Sequence, residues 1–151
     1  KKVAVFGQGE LVGKPISHWL ETQGAKVHRI RSTTENPERL SQEADIVISG
    51  VGKPGLITGE MVKDRAIVID FGYGKKDGPD FSKSSSEDFR KIEDPRFASS
   101  DKGRKANREK MVGDVDFNSV APKTDLITPV PGGMGPILIV AVLKNLVKLN
   151  S

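Results

Sequence analysis

Three short stretches hold the residue types and spacings from which chemistry could be built. The first is Gly7-Gln8-Gly9-Glu10-Leu11-Val12-Gly13-Lys14-Pro15, which follows the apolar run Val3 to Phe6. Gly7 permits a tight turn, and Gly9 lets backbone N–H groups approach a ligand closely. Gly13 allows a helix to pack on a strand, and the helix start adds partial positive charge. Such a turn suits a pyrophosphate. The spacing is G-x-G-x-x-x-G, one residue longer than the commonest dinucleotide fingerprint, but it sits between a strand pattern and a helix pattern, as that use requires. The alternative is a glycine turn that serves packing alone.

The second stretch is Arg29-Ile30-Arg31-Ser32-Thr33-Thr34, at the end of the next strand pattern. A site for NAD commonly has Asp or Glu there, accepting from the ribose 2′-OH. Here a cation and hydroxyls replace the acid. Arg31 can pair with a 2′-phosphate and Ser32 can donate to it, so the stretch favours NADP, with NAD the alternative. Arg31 as a plain solvated residue is the competing reading.

The third stretch is Thr128-Pro129-Val130-Pro131-Gly132-Gly133-Met134-Gly135-Pro136. Prolines fix φ and remove donors, while glycines permit close approach, so the loop is stiff in places and bare in others. It suits a flat ligand lying against backbone. It is equally compatible with a strand-to-helix connection having Pro136 in the first helical turn. No residue pattern supplies an acid/base pair: Asp70, Asp114 and Asp116 have no His or Lys at a diagnostic spacing. Asp70, at a strand end, reads as a capping group rather than a catalyst.

These stretches need elements to position them. Apolar runs at Val3–Phe6, Ala25–Ile30, Asp45–Ser49, Ala66–Asp70 and Thr124–Thr128 read as strands. Val12–Gln23, Pro37–Gln42, Thr58–Lys63 and Ile137–Leu149 read as helices, with Thr58 an N-cap candidate. Strands alternating with helices imply a doubly wound α/β domain, its mainly parallel sheet covered on both faces. Ligands lie beyond the carboxyl ends of such strands. The turns Gly50-Val51-Gly52 and Gly72-Tyr73-Gly74 should therefore share one crevice with the first turn and the Pro/Gly loop. Tyr73 either packs on the nicotinamide or ribose or is a half-buried loop aromatic. Residues 75–110, after the fourth strand, are dense in Lys, Arg, Asp, Glu and Ser. They read as a charged surface insertion, with a helix near Ser86–Ile92.

Composition narrows the classes. The chain has 151 residues and fits one domain, 1–151. It has no cysteine, and its two histidines, His18 and His28, are isolated, so no metal site is expected. The net charge of +4 is mixed with acids, and the few aromatics are not interleaved with Lys and Arg, which argues against nucleic acid. No apolar run approaches the roughly 20 residues of a membrane span. The expected setting is the cytoplasm, an organellar form being the alternative. The abrupt start on a strand suggests a domain cut from a longer chain.

Together the motifs resemble one family, the C-terminal NAD(P)-binding domain of bifunctional methylenetetrahydrofolate dehydrogenase/cyclohydrolase, across nearly the whole chain apart from the insertion. The family pattern G-R-S-x-x-V-G-x-P is met from Gly7 to Pro15, and A-D-I-x-I-x-x-x-G-x-P from Ala44 to Pro54. V-I-D-V-G is met from Val68 to Gly72, V-G-D-V from Val112 to Val115, and P-V-P-G-G-V-G-P from Pro129 to Pro136 with Met134 in place of Val. The resemblance implies a Rossmann-like fold that binds NADP, with a cofactor-binding set of Gly7, Gln8, Gly9, Val12, Arg31, Ser32, Thr33, Gly50, Val51, Gly52, Gly72 and Tyr73. Ser32 would hold the adenosine-ribose end, and Tyr73 takes a position usually held by Ile near the nicotinamide. Pro131, Gly132, Gly133, Met134 and Gly135 would border the folate. The family's catalytic Tyr and Lys belong to an N-terminal domain that this chain lacks, so no catalytic residue is assigned here. The resemblance further implies a tetrahydrofolate substrate shared with that domain and a homodimer for the intact protein. Gln8 replaces the Arg of G-R-S that helps hold a 2′-phosphate, a loss for which Arg31, standing where His is usual, could compensate, and Thr33 stands where a basic residue is usual, so cofactor preference is less sharply set than by the strand end alone. The insertion is a further departure, because the family usually passes from Gly74 to Val112 by a short hairpin. Another two-domain NAD(P) dehydrogenase and a non-catalytic nucleotide-binding interaction module are the alternatives.

Overall fold

The computed structural model describes residues 1–75 and 111–149. The helix expected near Ser86–Ile92 lies outside them, as does most of the charged insertion. The chain runs β1 (Lys2–Phe6), α1 (Gly13–Thr22), β2 (Lys26–Ile30), α2 (Pro37–Gln42) and β3 (Ile46–Ser49). A 3₁₀ turn (Gly59–Met61) leads to β4 (Ala66–Asp70) and to a two-stranded ribbon of β5 (Gly74–Lys75) and β6 (Met111–Val112). Then come α3 (Phe117–Val120), another 3₁₀ turn (Ala121–Lys123), β7 (Thr124–Ile127) and α4 (Met134–Leu149).

Five strands form one parallel sheet in the order β2-β1-β3-β4-β7. The chain steps from β1 outward to β2, then returns to β3 on the other side of β1. The order therefore reverses between β1 and β3, and a crevice opens at their carboxyl ends. Alternation along the strands divides the core. Val3, Val5 and Ile48 face α1, where Ile16 and Leu20 pack on them. Ala4, Phe6, Val47 and Val68 face the other way, against Ile57, Val62, Val115 and Val120. This two-sided burial explains why the strands read as continuous apolar runs.

The structure corrects the bounds of two predicted helices. Thr58–Lys63 is a 3₁₀ turn limited to Gly59–Met61, and the Thr58 side chain makes no cap hydrogen bond. The last helix starts at Met134 rather than Ile137, so Met134, Gly135 and Pro136 form its first turn. Proline sits there without losing a bond, because first-turn N–H groups have no partner inside the helix. The ribbon of β5 and β6 joins Gly74 to Val112, so the insertion lies between the strands of the hairpin expected without it.

Burial is also uneven. Over β4 and β7 the face that α1 covers elsewhere is left open, with Leu126 50% exposed. Helix α4 is apolar on several sides and exposed along its described length, Val147 reaching 70%. No helix among the described residues is long and apolar enough to cross a membrane.

Candidate cofactor site

The β1 and β3 turns meet at the point where the strand order reverses. Gly7 takes a φ of +82°. A Cβ on Gly7 would stand 3.0 Å from Gly50 O and 3.1 Å from Val51 Cγ2, and one on Gly50 would stand 2.8 Å from Val12 Cγ1. A Cβ on Gly13 would collide with the backbone at Gly7. The glycines thus let the two turns and the start of α1 close on one another. Gly9 differs: nothing lies within 4 Å of where its Cβ would be. Its bare backbone faces open space.

The two turns differ in their donors. Among the described residues, the N–H groups of Gly9, Glu10, Leu11 and Val12 donate to no acceptor. They lie at the N-terminal end of α1, where backbone donors and the helix dipole favour an anion. After β3 the corresponding groups are already taken. The N–H groups of Val51, Gly52 and Lys53 donate to the Asp114 carboxylate at 2.7, 3.2 and 2.7 Å, and the Ser49 hydroxyl donates at 2.6 Å. Asp114 is fully buried. The β3 turn is an anion-binding nest that the protein fills itself.

The Gln8 side chain folds inward. Its amide nitrogen donates to Val5 O at 3.2 Å and Gly7 O at 3.0 Å, and lies 3.4 Å from Ser17 Oγ. It braces the turn from within. At the end of β2 the two arginines are in different states. Arg29 makes a two-pronged pair with Glu21 at 3.0 and 2.7 Å. Arg31, Ser32 and Thr33 are exposed, and the Arg31 guanidinium has no ion pair among the described residues. Arg31 is therefore the cation available at this strand end. The Thr34 hydroxyl accepts from its backbone N–H at 2.8 Å, which shapes the turn.

The remaining residues gather beyond β4. A cleft of about 270 Å³ is lined by Asp70, Gly72, Tyr73 and the Pro131–Gly135 segment, with Leu138 at its edge. Tyr73 is 63% exposed at its mouth. The Val130–Pro131 peptide bond is cis, and Gly132 has a φ of +106°. The backbone N–H of Asp70 donates to Thr128 Oγ1 at 2.8 Å, tying the loop to the end of β4. The Asp70 carboxylate accepts from Gly72 N at 2.7 Å and Val115 N at 3.0 Å. Burial raises the Asp70 pKa to about 6, aided by the neighbouring Asp114 charge, against the pull of those N–H donors.

The sequence-selected residues therefore form three groups. Gly7, Gln8, Gly9, Val12, Gly50, Val51 and Gly52 meet at the reversal point. Arg31, Ser32 and Thr33 lie on the β2 side. Gly72, Tyr73 and Pro131–Gly135 enclose the cleft beyond β4. Sequence reasoning had no role for Asp114. The available signal was the pairing of Asp70-Phe71-Gly72 with Gly113-Asp114, two acids each near a glycine.

Parallel topology, a glycine turn at the reversal point whose donors have no acceptor among the described residues, and an exposed cation at the β2 end define a dinucleotide-binding domain of the doubly wound α/β class. The family model described as tetrahydrofolate dehydrogenase/cyclohydrolase, NAD(P)-binding domain, matches residues 1–151, and the chain belongs to that family. Bifunctional protein FolD of Lactobacillus gasseri is 36% identical over 150 residues, covering 99% of this chain and 42% of the relative. Its counterpart in Nautilia profundicola is 40% identical over 148 residues, covering 98% and 42%. The Campylobacter jejuni FolD crystal structure superposes with a TM-score of 0.74 at 30% identity, covering 97% of this chain and 41% of that one. The Trypanosoma brucei enzyme, solved with NADP and an inhibitor, gives 0.71 at 33% identity, covering 96% and 41%. The chain thus spans about two fifths of the length of the curated relatives it matches.

Proposed function

We propose that this domain holds NADP for a one-carbon folate enzyme that oxidises 5,10-methylenetetrahydrofolate to the methenyl form. The intact protein would also hydrolyse that product to 10-formyltetrahydrofolate. The reading rests chiefly on the contrast between the two turns: among the described residues the N–H donors after β1 have no acceptor, whereas those after β3 are taken by Asp114. The pyrophosphate would lie on the β1 turn at the start of α1. Arg31 and Ser32 would hold the 2′-phosphate, with Thr33 beside them. Crossing from β2 over β1 brings the nicotinamide half to the β3 side, near Val51 and Tyr73. The cleft against Pro131, Gly132, Gly133, Met134 and Gly135 would take the folate.

Bound NADP would supply the hydride acceptor, while this chain binds and orients. The acid/base groups would come from the part of the protein beyond this domain, and the exposed apolar length of α4 fits contact with that part. The intact protein is read as a homodimer on the family resemblance, and as cytoplasmic on the composition of the chain.

The test is twofold. The intact protein should oxidise methylenetetrahydrofolate with NADP, while residues 1–151 alone should bind NADP without turnover. Robust dehydrogenase activity from residues 1–151 would refute the division of labour. Failure of both forms to bind either dinucleotide would refute the reading.

A further inference from the structure

Asp114 lies outside the cleft, is fully buried, and reaches across to the β3 turn from a position more than sixty residues later in the chain. One carboxylate accepts from four donors there. Oδ2 takes the Ser49 hydroxyl and the N–H groups of Val51 and Gly52, and Oδ1 takes that of Lys53. Gly52 has a φ of +79°, so successive N–H groups converge on one point. An empty nest of this shape would draw an anion. The same turn carries Gly50 and Val51, which pack on Gly7 and Val12 of the β1 turn.

We propose that Asp114 is the positioning residue for the nicotinamide side of the cofactor site. Its carboxylate holds the Gly50–Lys53 turn in the form the cofactor meets and keeps that turn's N–H groups from the cofactor's phosphates. The pyrophosphate is thereby directed to the β1 turn, whose donors are free. The β3 turn presents the Val51 side chain and backbone carbonyls instead. This rests on the NADP-binding reading above, and on the topology that places β2 and β3 on opposite sides of β1.

Asp114→Asn tests it with little change of shape. An amide nitrogen then faces donors that the carboxylate accepted. The intact protein is titrated with NADP and with adenosine 2′,5′-bisphosphate, which carries only the half expected at β2. The expected result is an affinity for NADP lower by about tenfold or more, the scale of a lost bond to a charged group, with the bisphosphate unchanged. Equal losses for both ligands would show a merely structural residue and overturn the proposal, as would no loss for either. Should the variant fail to fold, Ser49→Ala decides. It removes one donor and leaves the carboxylate on three N–H groups. A smaller loss confined to NADP supports the proposal, and no loss or an equal loss overturns it. If the wild-type protein binds neither ligand, the NADP reading itself falls. A null result in the variants alone sinks only the role of Asp114.

Discussion

Asp70 and Gly113 are interlocked: the Asp70 carboxylate lies so close over Gly113 that no Cβ fits beneath it. The reverse pair repeats the arrangement, because a Cβ on Gly72 would collide with the Asp114 carboxylate. Each glycine is bare so that the acid near the other can pass. The two crossing segments join the end of β4 to the approach of α3, and from there Asp114 reaches the β3 turn and Asp70 reaches Val115 N.

Gly72→Ala and Gly113→Ala should each cost more than about 2 kcal/mol, because the added methyl meets a buried carboxylate that is already bonded. Gly135→Ala is the contrast. It lies in α4 with nothing within 4 Å of its Cβ position. Alanine there should leave stability unchanged or raise it by up to about 1 kcal/mol. Urea denaturation of the three variants measures both expectations.

Gly9→Ala should separate stability from binding. The free protein has room for the methyl and no positive φ at this position. The melting temperature should therefore hardly move. NADP affinity should fall by about tenfold or more if the pyrophosphate lies against Gly9, as its unpaired neighbouring donors suggest. An unchanged dissociation constant would remove the β1 turn as the phosphate seat.

Arg31→Ala should lower affinity for NADP by about tenfold or more and leave NAD unaffected, since only the former brings a 2′-phosphate to pair with. Arg29→Ala should affect neither cofactor strongly, because Glu21 already holds that guanidinium. Parallel titrations at two salt concentrations check this, and the Arg31 effect should shrink at higher salt.

Stability should fall as pH rises from about 4 to about 6. Asp70 has a folded-state pKa raised from 3.8 to about 6. In that window folded Asp70 holds more of its proton than it does in the unfolded chain, so its contribution makes rising pH favour unfolding. The change should be on the order of 2 kcal/mol, and Asp70→Asn should flatten it. Asp45 acts in the opposite sense at lower pH. Its hydrogen bonds from Lys63 and the Lys2 backbone hold its pKa down at about 2. Its contribution is present above about pH 4 and fades as pH drops toward 2. Denaturation midpoints between pH 3 and 7 at constant ionic strength read both slopes.

Much of the architecture was legible from residue order. Val3–Phe6, Asp45–Ser49 and Ala66–Asp70 are apolar runs of strand length bounded by glycine, so they announced buried parallel strands. The turn from Gly7 to Pro15 showed its close packing in its spacing, since glycines are needed locally where backbone must approach backbone. The start of α4 was misplaced because glycine and proline usually end helices, whereas at a first turn they remove nothing the helix uses. Thr58–Lys63 shrinks to one 3₁₀ turn because the backbone becomes extended at Val62 (φ −120°, ψ +132°), while the Gly59 N–H, a first-turn donor, finds Ser119 Oγ 60 residues away.

Sequence by itself determined the alternation of strands and helices, the phosphate-type turn and the cation at the β2 end. Each of these is a local property of neighbouring residues. Only the tertiary structure decided which donors are free. The β1 and β3 turns are both rich in glycine, and both could have bound an anion. The sheet order brings Asp114 onto one of them and leaves the other without an acceptor among the described residues, because a carboxylate satisfies N–H groups by position in space and not by position in the chain.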